Sequence, residues 1–101
     1  MENLYKLVEA SNKRFPEGVE PFQMATRLLE EAGEIAAEIN HWENSHKRTK
    51  RGEPSKESLA NELRQTIVEC LKIAVYYNCE DELEKSINDH LKLCKNEGLI
   101  D

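Results

Sequence analysis

The chain contains 101 residues, which is the length of one small domain, and we interpret residues 1–101 as a single domain. Its composition, 39% hydrophobic and 34% charged residues, excludes a disordered chain. A membrane protein is excluded because no apolar run approaches the roughly 20 residues of a membrane-spanning helix. The formal net charge of −6 argues against binding to nucleic acid, which needs a positive surface.

The sequence also bears on the compartment. The first residues, MENLYKLVEASNKRF, contain no apolar signal core, so we expect a cytoplasmic protein. The three cysteines are odd in number and none has CxxC spacing, which favours reduced thiols over disulfides or a zinc site. Helical spacing predicts that Cys70 lies on a core face.

The spacing of apolar residues predicts four helices and no strand. The first covers about residues 2–14, and the Pro and Gly of residues 15–18 predict a loop after it. The second begins near Pro21 and ends at about residue 42 or 43. Its predicted core stripe consists of Phe22, Ala25, Leu28, Leu29, Ala32, Ile35, Ala36 and Ile39.

Residues 44–54, NSHKRTKRGEP, form the clearest long loop, and they include a basic island. Ser55 is the expected N-cap of the third helix, which ends near Tyr77 or Asn78. The fourth helix begins near Glu80, and Gly98 is its expected stop. The predicted stripe of the third helix is Leu59, Leu63, Ile67, Cys70, Leu71 and Ala74, and that of the fourth is Leu83, Ile87, Leu91 and Cys94.

Short loops between long amphipathic helices predict an all-α fold, an antiparallel bundle of about four helices. Val68, Val75 and Tyr76 lie outside the main stripe of the third helix. Because a helix that is apolar on more than one side packs against more than one neighbour, we expect oligomerisation to complete the bundle.

Acidic residues line up beside the core stripes of the two central helices. On the second helix, Glu31, Glu34 and Glu38 share one face, and His41 follows. Like charges at this spacing repel unless a cation compensates, and carboxylates from facing helices can bind Mg²⁺. Spacing alone leaves open whether these rows form a metal site or a solvated surface. The matching row of the third helix is Glu62, Gln65, Glu69 and Lys72.

The segment LLEEAGEIAAEI, residues 28–39, resembles the first signature of the MazG-like, all-α nucleoside triphosphate pyrophosphohydrolase family. That signature places two glutamates in ExxE spacing on one helix, here Glu31 and Glu34. Residues 59–78 stand where the family has its second signature, ExxD, and the resemblance covers about residues 20–97. It implies a helical dimer or tetramer that cleaves a (d)NTP between the α- and β-phosphates with Mg²⁺ or Mn²⁺. The motif acids would bind the metal, whose bound water would attack.

The second signature departs from the family pattern. Glu62 matches its glutamate, but Gln65 stands at the aspartate position, and a neutral amide is a poorer Mg²⁺ ligand and no general base. Three interpretations stay open. Glu69, one turn further on, supplies the missing charge; or Gln65 coordinates weakly in a slower enzyme; or the protein binds nucleotide, or nothing, without turnover. Glu38 and Glu69 are the auxiliary ligand candidates.

Several residues are candidates for contact with the substrate. Cations of the basic loop suit a polyphosphate opposite an acidic metal centre. The resemblance implies phosphate contacts near the last helix and contacts to base or ribose at the end of the second helix. The candidates are Lys47, Arg48, Lys50, Arg51, Lys72, Lys92, Lys95, Asn96, His41 and Trp42.

Two alternatives to the enzyme remain at this point. A non-catalytic nucleotide-binding or regulatory module on the same fold would bind nucleotide without releasing pyrophosphate. A plain helical interaction protein would show no change of stability with Mg²⁺, because only an ion that prefers the folded state stabilises it.

Overall fold

The computed structural model describes residues 1–44 and 52–101. Within them no strand occurs, so the all-α prediction is confirmed. None of the helices in these two ranges is long and apolar enough to cross a bilayer. The helices are α1 (Glu2–Arg14), α2 (Pro21–Asn44), α3 (Lys56–Tyr76) and α4 (Glu80–Asn96), and a short 3-10 helix (Pro16–Val19) lies in the predicted loop between α1 and α2.

The helix ends follow local hydrogen bonding. The Glu20 carboxylate accepts hydrogen bonds from the N–H groups of Phe22 and Gln23, at 3.1 and 3.0 Å, and so caps α2. Ser55 caps α3 as predicted, since its Oγ accepts from the N–H of Ser58 at 3.2 Å. Gly98 follows α4 with φ of 76°, a left-handed conformation that favours glycine, which confirms the predicted stop.

Helix α3 is the central element. It runs antiparallel to α2, because Glu38 of α2 meets Ser58 near the start of α3, whereas Glu31 meets Glu62 one turn later. On its other side α3 packs against α1, where Lys72 Nζ donates to Ser11 Oγ at 3.4 Å. Helix α4 touches α3 only sparsely and has no buried residue.

The apolar core of the single chain is small. The radius of gyration of the chain is 16.9 Å, whereas a compact domain of this length has about 13 Å. The molecule is also flat, with extents of 45 × 44 × 22 Å. The described helices therefore form an open arrangement. Its buried apolar side chains are Val8, Met24, Val68, Leu71 and Ala74.

The predicted core stripes are largely exposed in the single chain. Phe22 is 81% exposed and Leu29 is 74% exposed, although both belong to the stripe of α2. On α3 the prediction that Cys70 lies on a core face is wrong, since Cys70 is exposed. The reason is that α3 turns Leu71, which belongs to the predicted stripe, and Val68, which lies outside it, toward α1. No disulfide joins Cys70, Cys79 and Cys94, all of which lie in the described part of the chain.

Candidate functional site

Three carboxylates of the motif rows come together where α2 faces α3. Glu31, Glu34 and Glu62 each offer one oxygen, and these oxygens all lie within 4.8 Å of one another. Glu31 and Glu34 share a face of α2 because they are three residues apart, and antiparallel packing brings Glu62 opposite them. Glu31 is only 8% exposed, Glu62 is half-buried and Glu34 is exposed. We call these three residues the acidic cluster.

The acidic cluster is electrostatically strained. Hydrogen bonding to Glu34, partial burial and the repulsion of the neighbouring charges raise the pKa of Glu62 to about 7. Burial, and then Glu34, raise the pKa of Glu31, although Glu62 and Arg27 oppose this shift. An arrangement that raises the pKa of its own carboxyl groups favours the binding of either protons or a cation.

The donor set of the acidic cluster fits a hard divalent cation. Its donors are all carboxylate oxygens, the type that Mg²⁺ and Mn²⁺ take. Oε2 of Glu31 and Oε2 of Glu62 are shielded from solvent and have no hydrogen-bond partner. Within the described residues, no lysine or arginine lies within 4.0 Å of the three carboxylates. Buried acceptors without partners cost free energy, and a bound cation would satisfy them.

The auxiliary acids lie outside the acidic cluster. Glu38 is buried and its Oε1 accepts a hydrogen bond from Ser58 Oγ at 3.2 Å, a contact that joins α2 to the start of α3. Glu69 is also buried, and its Oε1 lies 3.9 Å from Nζ of the equally buried Lys72. Lys72 therefore faces α1 and Glu69 inside the protein.

A cavity of about 390 Å³ adjoins the acidic cluster and lies between α1, α2 and α3. Glu31 lines it, as do Gln65 and Glu69 of the second motif row. The cavity therefore adjoins both acidic rows: it meets the row of α2 at Glu31 and the row of α3 at Gln65 and Glu69. Its other lining residues are Leu7, Ala10, Ser11, Arg14, Phe15, Arg27, Arg64 and Val68.

Arg14, Arg27 and Arg64 are the site residues that sequence reasoning missed. They come from three different helices, and none forms an ion pair with any residue that the structure describes. Unpaired guanidinium groups are suited to bidentate contact with phosphate oxygens. One signal was present in the sequence, since Arg27 stands four residues before Glu31 on the same helix face. Nothing comparable indicated Arg14, because α1 lies outside the motif region.

A larger cavity, of about 540 Å³, lies on the opposite side of α1. Its lining includes Tyr5, Val8 and Val75, and none of the cluster carboxylates. We place the candidate site in the smaller cavity because that cavity meets the acidic cluster and has unpaired charged groups on its wall.

The end of α2 is occupied by a structural contact. His41 is 4% exposed, and its Nε2 lies 2.6 Å from the carbonyl oxygen of Gly52, which follows positions 45–51. Trp42, beside it, is 36% exposed and does not line the cavity. His41 therefore has a protein partner that links the two ends of the loop.

The substrate candidates of the last helix are not brought to the acidic cluster. Helix α4 carries three of them on an exposed surface, and none of these lines the cavity. Those three are Lys92, Lys95 and Asn96. Four loop cations lie outside the described residues: Lys47, Arg48, Lys50 and Arg51.

The chain was compared with protein-family models, with curated proteins and with solved structures. None of the three comparisons returns a match.

Proposed function

We propose that this protein is a Mg²⁺-dependent pyrophosphohydrolase that converts a (d)NTP to the (d)NMP and pyrophosphate. The observation that carries the proposal is the acidic cluster, in which one oxygen of each of three carboxylates lies within 4.8 Å of the others, and in which Oε2 of Glu31 and Oε2 of Glu62 are shielded and unpartnered. The resemblance of residues 28–39 to the MazG-like signature supports it, because the same glutamates form both the motif and the cluster.

In this proposal the acidic cluster holds the metal. Glu31, Glu34 and Glu62 are its ligands, and their mutual repulsion falls when the cation binds. Mg²⁺, or Mn²⁺ in its place, supplies charge neutralisation on the phosphates and a water of lowered pKa. No aspartate stands beside Glu62, so three carboxylates carry the role that four have in the resembled family.

The cavity arginines neutralise the phosphate chain. Arg14, Arg27 and Arg64 line the space next to the acidic cluster and form no ion pair with a residue in the described part of the chain. A triphosphate placed between the cluster's cation and these guanidinium groups would be balanced by positive charge on two sides. These arginines add to the residues expected to contact the substrate phosphates, which otherwise include the loop cations.

The exposed apolar stripes support self-association into a dimer or tetramer. Phe22, Leu29 and Ile39 of α2 and Leu63 and Ile67 of α3 are between 43% and 81% exposed. A second copy that covered these stripes would complete the bundle, since contiguous exposed apolar surface marks an interface. We also infer a cytoplasmic location, which suits a nucleotide substrate and three free thiols.

A second candidate function has one observation in its favour. Gln65 replaces the family's aspartate, and it lines the cavity without belonging to the acidic cluster. A protein that binds nucleotide and Mg²⁺ but does not turn the nucleotide over would tolerate this amide. A plain helical interaction protein is the remaining alternative, and it would leave the acidic cluster without any cation.

The test is pyrophosphate release from a panel of canonical and modified (d)NTPs with Mg²⁺ or Mn²⁺. We expect release by the native protein and a loss of about 100-fold or more in Glu34→Gln, which removes one ligand charge while keeping the shape. Glu30→Gln is the matched control, because Glu30 is the exposed neighbour of Glu31 and lies outside the cluster.

Each outcome separates the candidates. Equal release by Glu34→Gln and the native protein would contradict the site assignment. Silence in the native protein, together with nucleotide binding and a Mg²⁺-dependent rise in melting temperature, would favour the non-catalytic module. Activity that appears only in Gln65→Asp would show that the amide had silenced the enzyme. No effect of Mg²⁺ on stability and no nucleotide binding would leave the interaction protein.

A further inference from the structure

The cavity beside the acidic cluster has a polar wall that the phosphates and the metal do not use. Its volume of about 390 Å³ is within the range of small-ligand sites, and it extends from Glu31 to Glu69 along α3. A triphosphate whose phosphates lie at Glu31 would have its nucleoside end in this cavity. The groups on the far wall would then contact the base.

Glu69 is the first of these groups. It is 6% exposed, lines the cavity, and has an Oε2 that is shielded from solvent and has no hydrogen-bond partner. Its Oε1 lies 3.9 Å from Lys72 Nζ, which itself donates to Ser11 Oγ. One carboxylate oxygen of Glu69 is thus oriented by a lysine, whereas the other is a buried acceptor without a donor. Such an acceptor is costly unless a ligand supplies an N–H or O–H.

Gln65 is the second group. It stands four residues before Glu69, so both side chains lie on the same face of α3 and both line the cavity. Among the described residues Gln65 has no hydrogen-bond partner. Its amide offers one acceptor and two donors, which is the combination that reads a base edge bearing both an amino group and a ring nitrogen or carbonyl.

We propose that Glu69 and Gln65 recognise the base, and that they select nucleotides whose base carries an exocyclic amino group. The Glu69 carboxylate accepts the amino N–H, and the Gln65 amide bonds the adjacent ring atom. A base with a carbonyl at the same position would place an acceptor against the carboxylate, and two acceptors repel. This inference rests on the proposed function, because it takes the phosphates to lie at the acidic cluster.

The proposal gives Gln65 a role that a metal ligand at this position could not have. An aspartate there would add a second acceptor to the wall, next to the one that Glu69 already presents. An amide adds a donor as well, so the pair can match a mixed edge. The departure from the family pattern becomes a specificity feature of this chain.

The experiment uses paired nucleotides that differ by one amino group. Binding of the α,β-methylene analogues of CTP and UTP, and of ATP and ITP, is measured by calorimetry with Mg²⁺ on the full chain. We expect the amino-bearing member to bind about tenfold or more tightly in whichever pair binds, which is the effect of one hydrogen bond to a charged group. Because the analogues are not cleaved, the result does not depend on turnover.

Glu69→Gln should reduce this preference to within about twofold, because the amide can donate to a carbonyl as readily as it accepts from an amino group. Glu34→Gln is the control, since it should lower Mg²⁺ affinity and abolish turnover while leaving the ratio within each pair unchanged. If Glu69→Gln does not fold, judged by its helical circular dichroism, the ratio in the native protein still decides the matter.

Two results would overturn the inference. Equal binding within both pairs, or tighter binding of the carbonyl member, would remove base recognition while leaving the proposed function intact. Equal weakening of all nucleotides by Glu69→Gln, with the preference kept, would show that Glu69 serves the metal. Absence of binding by any analogue would remove the proposed function, and this inference with it.

Discussion

The two faces of α2 reverse the usual distribution of polarity in a small domain. The face toward α3 buries Glu31, Glu38 and His41, each less than 9% exposed. The opposite stripe exposes Phe22 and Leu29 to solvent. Buried charge and exposed apolar surface both cost free energy in an isolated chain. The two faces therefore carry the two proposals separately: a cation would compensate the acidic cluster on the buried face, and a second copy would cover the exposed apolar stripe.

The largest expected effect comes from the buried face. Glu31→Gln removes a ligand charge, so we expect pyrophosphate release to fall about 100-fold or more. The same change removes repulsion within the cluster, so the metal-free protein should melt at a higher temperature than the native one. Thermal melts with and without Mg²⁺ check both effects. A native-like rise of melting temperature with Mg²⁺ in the variant would contradict the assignment of Glu31.

The exposed face should respond through assembly. Leu29→Glu places a charge in the middle of the proposed interface, and we expect self-association to weaken about tenfold or more. Light scattering coupled to size-exclusion chromatography measures the mass as a function of concentration. Asn61→Glu adds the same charge at an exposed polar site of α3 and should keep the native mass. A monomeric native protein would show that the stripes are not a self-association surface.

A smaller effect separates partnered from unpartnered polar groups on the buried face. Unlike Oε2 of Glu31, Nε2 of His41 has a hydrogen-bond partner, the carbonyl oxygen of Gly52 at 2.6 Å. His41→Ala should therefore lower the free energy of unfolding by about 1–3 kcal/mol. Urea denaturation measures it, with the exposed His90→Ala as the control. An equal loss in both variants would remove the structural role of His41.

A further effect is a dependence of stability on pH. The folded state raises the pKa of Glu62 from 4.5 to about 7. The folded state thus binds the proton of Glu62 more tightly than the unfolded chain does. The stabilisation of the folded state by this proton is complete below pH 4.5, the unfolded pKa, and is lost as pH rises through about 7. The melting temperature of the metal-free native protein, relative to Glu62→Gln, should decline over that interval. With saturating Mg²⁺ the decline should vanish, and its persistence would argue against metal binding at Glu62.

The sequence predicted the helices well because their signals are local. Ser55 and Gly98 mark helix ends through contacts within a few residues, and both predictions are confirmed. The meeting of Glu31 with Glu62 needed only helix spacing and an antiparallel hairpin. The buried face of each helix was harder to predict. Leu29 and Val68 are both apolar, and only the packing of the helices against one another decides that Val68 is buried and Leu29 is exposed.

The cavity could not be predicted in the same way. Arg14 and Ser11 reach it from α1, more than 50 residues from Gln65 along the chain, and no local pattern joins them. The role of Lys72 shows the same difficulty. Its spacing on the acidic row suggested a phosphate contact, but the packing of α1 encloses it beside Glu69.

The contact between His41 and Gly52 has a consequence for how the chain could change in length. It ties the end of α2 to the residue that follows positions 45–51, with a separation of 2.6 Å between Nε2 and the carbonyl oxygen. Closing a longer flexible segment costs only about 0.6 kcal/mol for each doubling of its length. We therefore expect that a peptide or a small reporter domain can be inserted between positions 45 and 51 while α2 and α3 keep their mutual register.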